Sequence, residues 1–180
     1  DFIFNLDEIE LVEKSEYIKI NSLAKGETSQ IGLPKLPKYS TMIMVDPNKK
    51  YDVQFEVLDS YLINNVDVIP NQNIVNGLES ISIDSKDLSV YNKNKNFPEV
   101  SVFISEPMIM RDIVLINISV VPFSYNPLNK TLEVYENINI SLRETGYRED
   151  ERRRVLPKSR VFERIYENEI LNYASVTRDD

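Results

Sequence analysis

Aspartate and glutamate are the main side chains of this chain that could do acid–base chemistry. The sequence contains 29 of them but no histidine and no cysteine. Serine–histidine, cysteine–histidine and histidine-ligated metal sites each need a side chain that is missing here. Carboxylate catalysis needs two acids held across a cleft with separated pKa values, and no spacing in the sequence isolates such a pair. We therefore expect a non-catalytic protein that holds neither a metal nor another cofactor.

Composition and charge narrow the choice of partners. The chain has 180 residues, of which 42% are hydrophobic, which suits one domain with a substantial core. Its net charge of −8 repels phosphate backbones and anionic lipid headgroups, so we expect neither a nucleic acid nor a membrane as partner. The opening DFIFNLDEIE lacks the basic start and the apolar run of a signal peptide.

An alternation of apolar and polar residues dominates the sequence. It is clearest in residues 113–121 (IVLINISVV) and 131–142 (TLEVYENINISL), where a single break falls at Glu136. This period of two is typical of strands with one buried face, and eight or nine such short strands predict an antiparallel sandwich or barrel. The shorter segments with the same pattern are residues 2–6, 18–20, 42–45, 53–57, 81–83 and 100–104.

The two longest predicted strands are separated by PFSYNPLNK, residues 122–130. Here Asn126 precedes Pro127, and Asn129 lies three residues further on; proline fixes one φ angle and asparagine tolerates turn conformations. The pattern therefore predicts an antiparallel hairpin formed by residues 113–121 and 131–142.

A helical period occurs near the end of the chain, in SRVFERIYENEIL, residues 159–171. Its apolar residues are spaced as on one face of an amphipathic helix, and Ser159 is available as the N-cap. Such a helix either packs on its own domain, as most do, or docks on a partner through Phe162 and Tyr166. Before it lies a charge-dense segment with Gly146 and Pro157, which is typical of a linker.

Five segments follow one another along the chain: GLPKLPKYSTMIMVDP, VQFEVLDSYLINNVDVIP, NFPEVSVFISEPMIMRDIVLINISVVPFSYNP, LEVYENINISL and SRVFERIYENEILNY. The most specific part is Met110-Arg111-Asp112 followed by PFSYNP. This ordered set is similar to the propeptide of gingipain-type cysteine peptidases.

The resemblance implies an exported, secreted or cell-surface zymogen in which a β-sandwich prodomain precedes a caspase-like catalytic domain. In that family the prodomain assists folding of the catalytic domain, which is its partner, and blocks the active site until it is cleaved off. We therefore expect an all-β, jelly-roll-like antiparallel β-sandwich with one C-terminal amphipathic helix. The expected division is 1–143 for the sandwich, 144–158 for the linker and 159–180 for the helix and a processing segment.

Inhibition of the resembled enzymes implies a basic side chain, because they cut after arginine or lysine. The resemblance implies a specificity pocket that holds an acid for this side chain. An exposed lysine or arginine on a rigid loop can occupy the pocket without being cut. The best loop by composition is SVYNKNKNFPE, which makes Lys93 and Lys95 the candidates. Solvated loop lysines are the alternative. Arg111 is a further candidate, although its place directly before the predicted strand 113–121 favours a structural role.

Release requires an accessible basic site near the C-terminus. Arg178 fits a cleavage position that would free a following domain, and Arg154, the last of three successive arginines, is a candidate for an earlier cut. Arg154 is also explained as a member of a solvated, salt-paired cluster.

A different function fits the same composition. A non-catalytic β-sandwich of a secreted protein could be an adhesion module that binds carbohydrate or protein. The ten tyrosines suit stacking against sugars, but tryptophan is absent.

Overall fold

The computed structural model describes residues 1–72, 74–75, 78–79, 86–149 and 156–175, and the side chains of all of these except 74–75, 78–79 and 175. In chain order the elements are β1 (Phe2–Asn5), β2 (Glu10–Lys14), β3 (Tyr17–Asn21), β4 (Gly26–Glu27), β5 (Pro37–Met44), β6 (Lys49–Asn64), β7 (Ile74–Val75), β8 (Leu78–Glu79), α1 (Leu88–Tyr91), β9 (Val102–Ile104), β10 (Met108–Met110), β11 (Ile113–Val120), β12 (Phe123–Asn126), β13 (Thr131–Tyr147), α2 (Arg160–Glu169) and a 3-10 turn (Tyr173–Ser175).

Two antiparallel sheets are built on the same plan, each around a long central strand. In sheet I, β13 pairs with β6 along one edge and with β12 and β1, end to end, along the other. In sheet II, β11 pairs with β5 along one edge and with β9 and β10, end to end, along the other, and β4 extends the sheet beyond β5. The pairs β2–β3 and β7–β8 form separate two-stranded antiparallel sheets.

The main core lies between the two sheets. Ile118 and Val120 of β11 pack in one buried cluster with Ile138 and Ile140 of β13, and all four are at most 2% exposed. The alternation in the sequence places these residues on the inner faces of their strands. The predicted antiparallel β-sandwich is therefore confirmed.

The helix α2 covers the other face of sheet II. Tyr166 and Ile170 of α2 share a buried cluster with Met44, Ile113 and Leu115. Sheet II thus has apolar contacts on both faces, which explains why Ile113 and Leu115, on the helix side of β11, are apolar like the residues that face the core. The terminal helix is confirmed, and it packs on its own domain. No helix within the described ranges is long and apolar enough to cross a bilayer.

A bulge accounts for the charged residue that interrupts the pattern of β13. The register against β6 shifts on both sides of Asn137, leaving Glu136 unpaired on β13 and Leu58 unpaired on β6. Because each strand contributes one extra residue, the shifts cancel and Ile138 returns to the buried face. The carbonyl of Glu136 accepts a hydrogen bond from the backbone N of Leu6 at 2.8 Å.

The predicted hairpin between residues 113–121 and 131–142 is wrong. The strand β11 belongs to sheet II and β13 to sheet I. The chain crosses between the sheets at Val121-Pro122, and residues 123–126 form the separate strand β12, which makes the hairpin with β13. Proline at 122 has no N–H for a ladder, so it ends one strand before the next begins.

Three further expectations concern the N-cap of α2, the strand at residues 81–83 and the division of the chain into three parts. Ser159 occupies the N-cap position of α2, but its side chain makes no capping hydrogen bond. The strand expected at residues 81–83 lies outside the described residues. β13 continues to Tyr147, past residue 143, and residues 150–155 of the expected linker are not described, so the division into three parts stays a prediction.

Candidate functional site

Residues 92–96, here called the lysine loop, lie between two anchored aromatic residues. Tyr91 is 5% exposed, its hydroxyl donates to the carbonyl oxygen of Val68 at 3.0 Å, and burial raises its pKa. On the other side, the backbone N and O of Phe97 pair with the O and N of Tyr125, both at 2.8 Å. Fixed ends leave a five-residue loop few conformations.

Four asparagines bond the loop to the rest of the domain. They are Asn94 and Asn96 of the loop and Asn126 and Asn129 outside it, and are here called the asparagine cluster. The side-chain N of Asn126 donates to Oδ1 of Asn94 at 2.8 Å and to Oδ1 of Asn96 at 3.2 Å. Asn129 donates from Nδ2 to the same oxygen of Asn94 at 3.1 Å. Nδ2 of Asn96 donates to Oγ of Ser124 at 2.9 Å. The loop is therefore fastened to β12 and to the turn that follows it.

Asn126 is the centre of this cluster. It is 8% exposed, and its Oδ1 accepts a hydrogen bond from the backbone N of Asn129 at 3.1 Å, which closes the β12–β13 turn. One buried amide thus fixes a turn with its oxygen and the lysine loop with its nitrogen. Buried polar groups that are satisfied in this way specify one arrangement of the chain.

Lys93 and Lys95 are both exposed and alternate with the asparagines of the loop. The ammonium of Lys95 donates to the carboxylate of Glu99, and this hydrogen bond lowers the pKa of Glu99. The two side chains are 62% and 72% exposed, so their pairing contributes little free energy. The side chain of Lys93 makes no hydrogen bond or ion pair with any residue that the structure describes. The pKa of Asp87 is lowered chiefly by its hydrogen bonds with Ser89, and the charge of Lys93 adds a smaller effect.

Arg111 lies elsewhere, in the turn between β10 and β11 of sheet II, with a φ of 57°. Its guanidinium stands 4.4 Å from the centre of the Phe162 ring and donates to the carbonyl oxygen of Pro157 at 3.3 Å. These contacts tie the turn to the start of α2. The structure thus gives Arg111 a structural setting apart from the lysine loop, and its use as an inhibitory residue stays a prediction.

The processing candidates Arg154 and Arg178 lie outside the described residues. The segment that follows α2 is held at the edge of β5. Leu171 N donates to Met42 O at 2.9 Å, and the amide of Asn172 both accepts from Met44 N at 2.8 Å and donates to Met44 O at 2.9 Å. The chain is thereby fixed to sheet II as far as Asn172.

The asparagine cluster is the part of the site that sequence reasoning missed. The asparagine-rich segments NKNKN and YNPLN predict turns, but the structure shows in addition that their amides bond to one another across about 30 residues of sequence. A signal was available in the density of asparagine in both segments. Within the described ranges, no group of acidic residues is arranged to hold a metal ion.

Comparison with known proteins identifies relatives along most of the chain. The family model Propeptide_C25 matches residues 4–178. Gingipain R2 of Porphyromonas gingivalis is 30% identical over 150 residues, which are 81% of this chain and 20% of that protein. Gingipain R1 of the same organism is 29% identical over 155 residues, or 81% of this chain and 15% of that protein. The chain thus spans a fifth or less of these relatives.

Two solved structures share the fold. One, a complex of the pro- and mature domains of RgpB from Porphyromonas gingivalis, matches with a TM-score of 0.76 and 25% identity, covering 97% of this chain and 91% of that one. The other, a structure on the zymogenic latency of gingipain K from the same organism, matches with a TM-score of 0.61 and 14% identity, covering 78% and 84%. The resemblance stated from the sequence is confirmed. Because the family model covers nearly its whole length, this chain belongs to Propeptide_C25, the non-catalytic propeptides of C25 peptidases.

Proposed function

We propose that this chain assists the folding of a gingipain-like, caspase-like cysteine peptidase and blocks its active site until it is cleaved off. The peptidase domain would be its partner, and the zymogen would be secreted or held at the cell surface. The observation that carries the proposal is the match, over 97% of the chain, to a structure of pro- and mature domains in complex. This match favours a propeptide over an adhesion module.

The lysine loop is the surface best suited to enter a specificity pocket. The resemblance implies a pocket that carries an acid for a lysine or arginine, and a lysine ammonium supplies the matching charge. Because the asparagine cluster and the two anchored aromatics already fix the loop, little conformational entropy is lost when it binds. A preformed loop of this kind can fill a pocket without adopting the geometry that hydrolysis requires.

Lys93 is the stronger of the two candidates. Its ammonium has no competing acceptor among the described residues, whereas that of Lys95 is bonded to Glu99. The pairing itself contributes little free energy, but insertion of Lys95 would bring Glu99 close to an acidic pocket, where the like charges repel. Lys93 therefore fills the pocket at a lower cost in free energy. Lys95 and Glu99 lie beside it, at the edge of the contact with the peptidase.

The direct test is inhibition by the isolated chain. We expect the purified chain to inhibit the separately produced catalytic domain of its own precursor at nanomolar concentration, measured by hydrolysis of peptide substrates in which the scissile amide bond follows lysine or arginine. Serum albumin at the same concentration is the control. Glycan binding without inhibition would support the adhesion module instead.

Processing would separate the two domains within the last residues of this chain. Cleavage after Arg178 would leave the docked segment through Asn172 with the propeptide, so its contacts with β5 would survive release. We expect N-terminal sequencing of the processed peptidase to begin at Asp179. A cut after Arg154 would appear as a transient product. A mature N-terminus far from residue 179 would rule Arg178 out.

A further inference from the structure

We infer that Asn126 is a positioning residue that protects the lysine loop from proteolysis, so that a protease with an acidic specificity pocket binds the loop without cutting it. For the cognate peptidase this inference rests on the proposed function. The protection itself is a property of the fold and applies to any protease that cuts after lysine.

The lysines of the loop make it a potential substrate for proteases that cut after lysine. Lys93 and Lys95 are exposed on a surface loop, which is where nicking normally concentrates. A protease aligns its substrate as an extended strand along the active cleft. The five residues of the lysine loop, held at Tyr91 and at Phe97, can reach that conformation only when the loop first detaches from the domain.

The asparagine cluster opposes this detachment. Opening the loop breaks both hydrogen bonds from Asn126, the bond from Asn129 and the bond from Asn96 to Ser124. Opening also leaves the side-chain nitrogen of Asn126 without its acceptors, and this residue is buried, at 8% exposed. Since cleavage requires the open form, each lost bond raises the cleavage rate by raising the population of that form.

Substitution Asn126→Asp separates this role from the role of Asn126 in its turn. Aspartate keeps the oxygen that accepts from Asn129 N, so the β12–β13 turn is retained. It replaces the donor with an oxygen that faces the amide oxygens of Asn94 and Asn96. The loop therefore loses two hydrogen bonds and gains repulsion, while the shape of the residue is unchanged.

The experiment uses trypsin, which cuts after lysine, on the folded chain, and measures cleavage after Lys93 and Lys95 by mass spectrometry. We expect Asn126→Asp to be cut there at least about tenfold faster than the wild type. Asn94→Ala removes the shared acceptor from an exposed residue and should also accelerate the cut. Asn168→Asp makes the same chemical change on the exposed surface of α2 and should leave the rate unchanged.

Site-specific rates decide the outcome. If Asn126→Asp lowers global stability so far that all sites are cut together, Asn94→Ala decides, since its side chain is exposed. The inference would be overturned if Asn94→Ala were cut after Lys93 and after Lys95 at the same rates as the wild type. If cleavage accelerates in both variants but neither lysine matters for inhibition of the catalytic domain, the protection stands and the proposed inhibitory role of the loop fails.

Discussion

Replacing Lys93 and Lys95 together with alanine is expected to weaken inhibition of the catalytic domain by about thirtyfold to several thousandfold. A charge that fills an acidic pocket is desolvated there, and removing one partner of such a pair costs roughly 2–5 kcal/mol. Both side chains are exposed in the free chain, so the double variant should unfold at the same urea concentration as the wild type. The measurement is the inhibition constant, with the unfolding midpoint as the check on folding.

The single variants test which lysine enters the pocket. Lys93→Ala should account for most of the loss, because insertion of Lys95 would bring its neighbour Glu99 close to the acidic pocket. Arg111→Ala is the matched control: it removes a basic side chain that stacks on Phe162, and inhibition should persist. An inhibition constant that is the same for the double variant and the wild type would remove the lysine loop from the inhibitory surface.

Tyr166→Ala should destabilise the domain by about 3–5 kcal/mol, the usual cost of deleting a large buried aromatic side chain. Tyr166 is 1% exposed, packs with Met44 and Leu115 of sheet II, and lies 5.4 Å from the ring of Tyr173. Its removal would open a cavity between α2 and sheet II. Since domains of this size are stable by only about 5–15 kcal/mol, much of the total would be lost.

Urea unfolding measures this loss, and Val161 supplies the control. Val161→Ala shortens an apolar residue of the same helix that is 67% exposed, so its unfolding midpoint should stay near that of the wild type. Coincident midpoints for Tyr166→Ala and Val161→Ala would mean that α2 does not stabilise the sandwich. It would then be free to dock on another domain, the alternative that the sequence left open.

The sequence predicted best what depends on local periodicity. The alternation in residues 113–121 and 131–142 identified the two central strands, and the helical period in residues 159–171 predicted the helix that forms at Arg160–Glu169. Periodicity reports which face of an element is buried. It does not report the neighbour, and for this reason the two central strands were wrongly paired in one hairpin although they lie in different sheets.

The candidate site divides in the same way. Composition selected the loop of Lys93 and Lys95, because alternating asparagine and lysine before a proline is typical of an exposed turn. Its rigidity could not be read from the sequence, since Asn94 and Asn126 bond across 32 positions. The stacking of Arg111 on Phe162 joins two segments that are still further apart in the chain.

The sequence by itself determined the two central strands, the terminal helix, the absence of imidazole and thiol chemistry, and the resemblance to a propeptide family. These follow from residue types and short spacings, which the linear chain already contains. Only the tertiary structure decided that Asn126 fastens the lysine loop, that Lys95 is paired with Glu99 and that Arg111 stacks on Phe162 of α2. Each of these depends on side chains that folding brings within hydrogen-bonding or stacking distance, because such interactions act over a few ångströms in space.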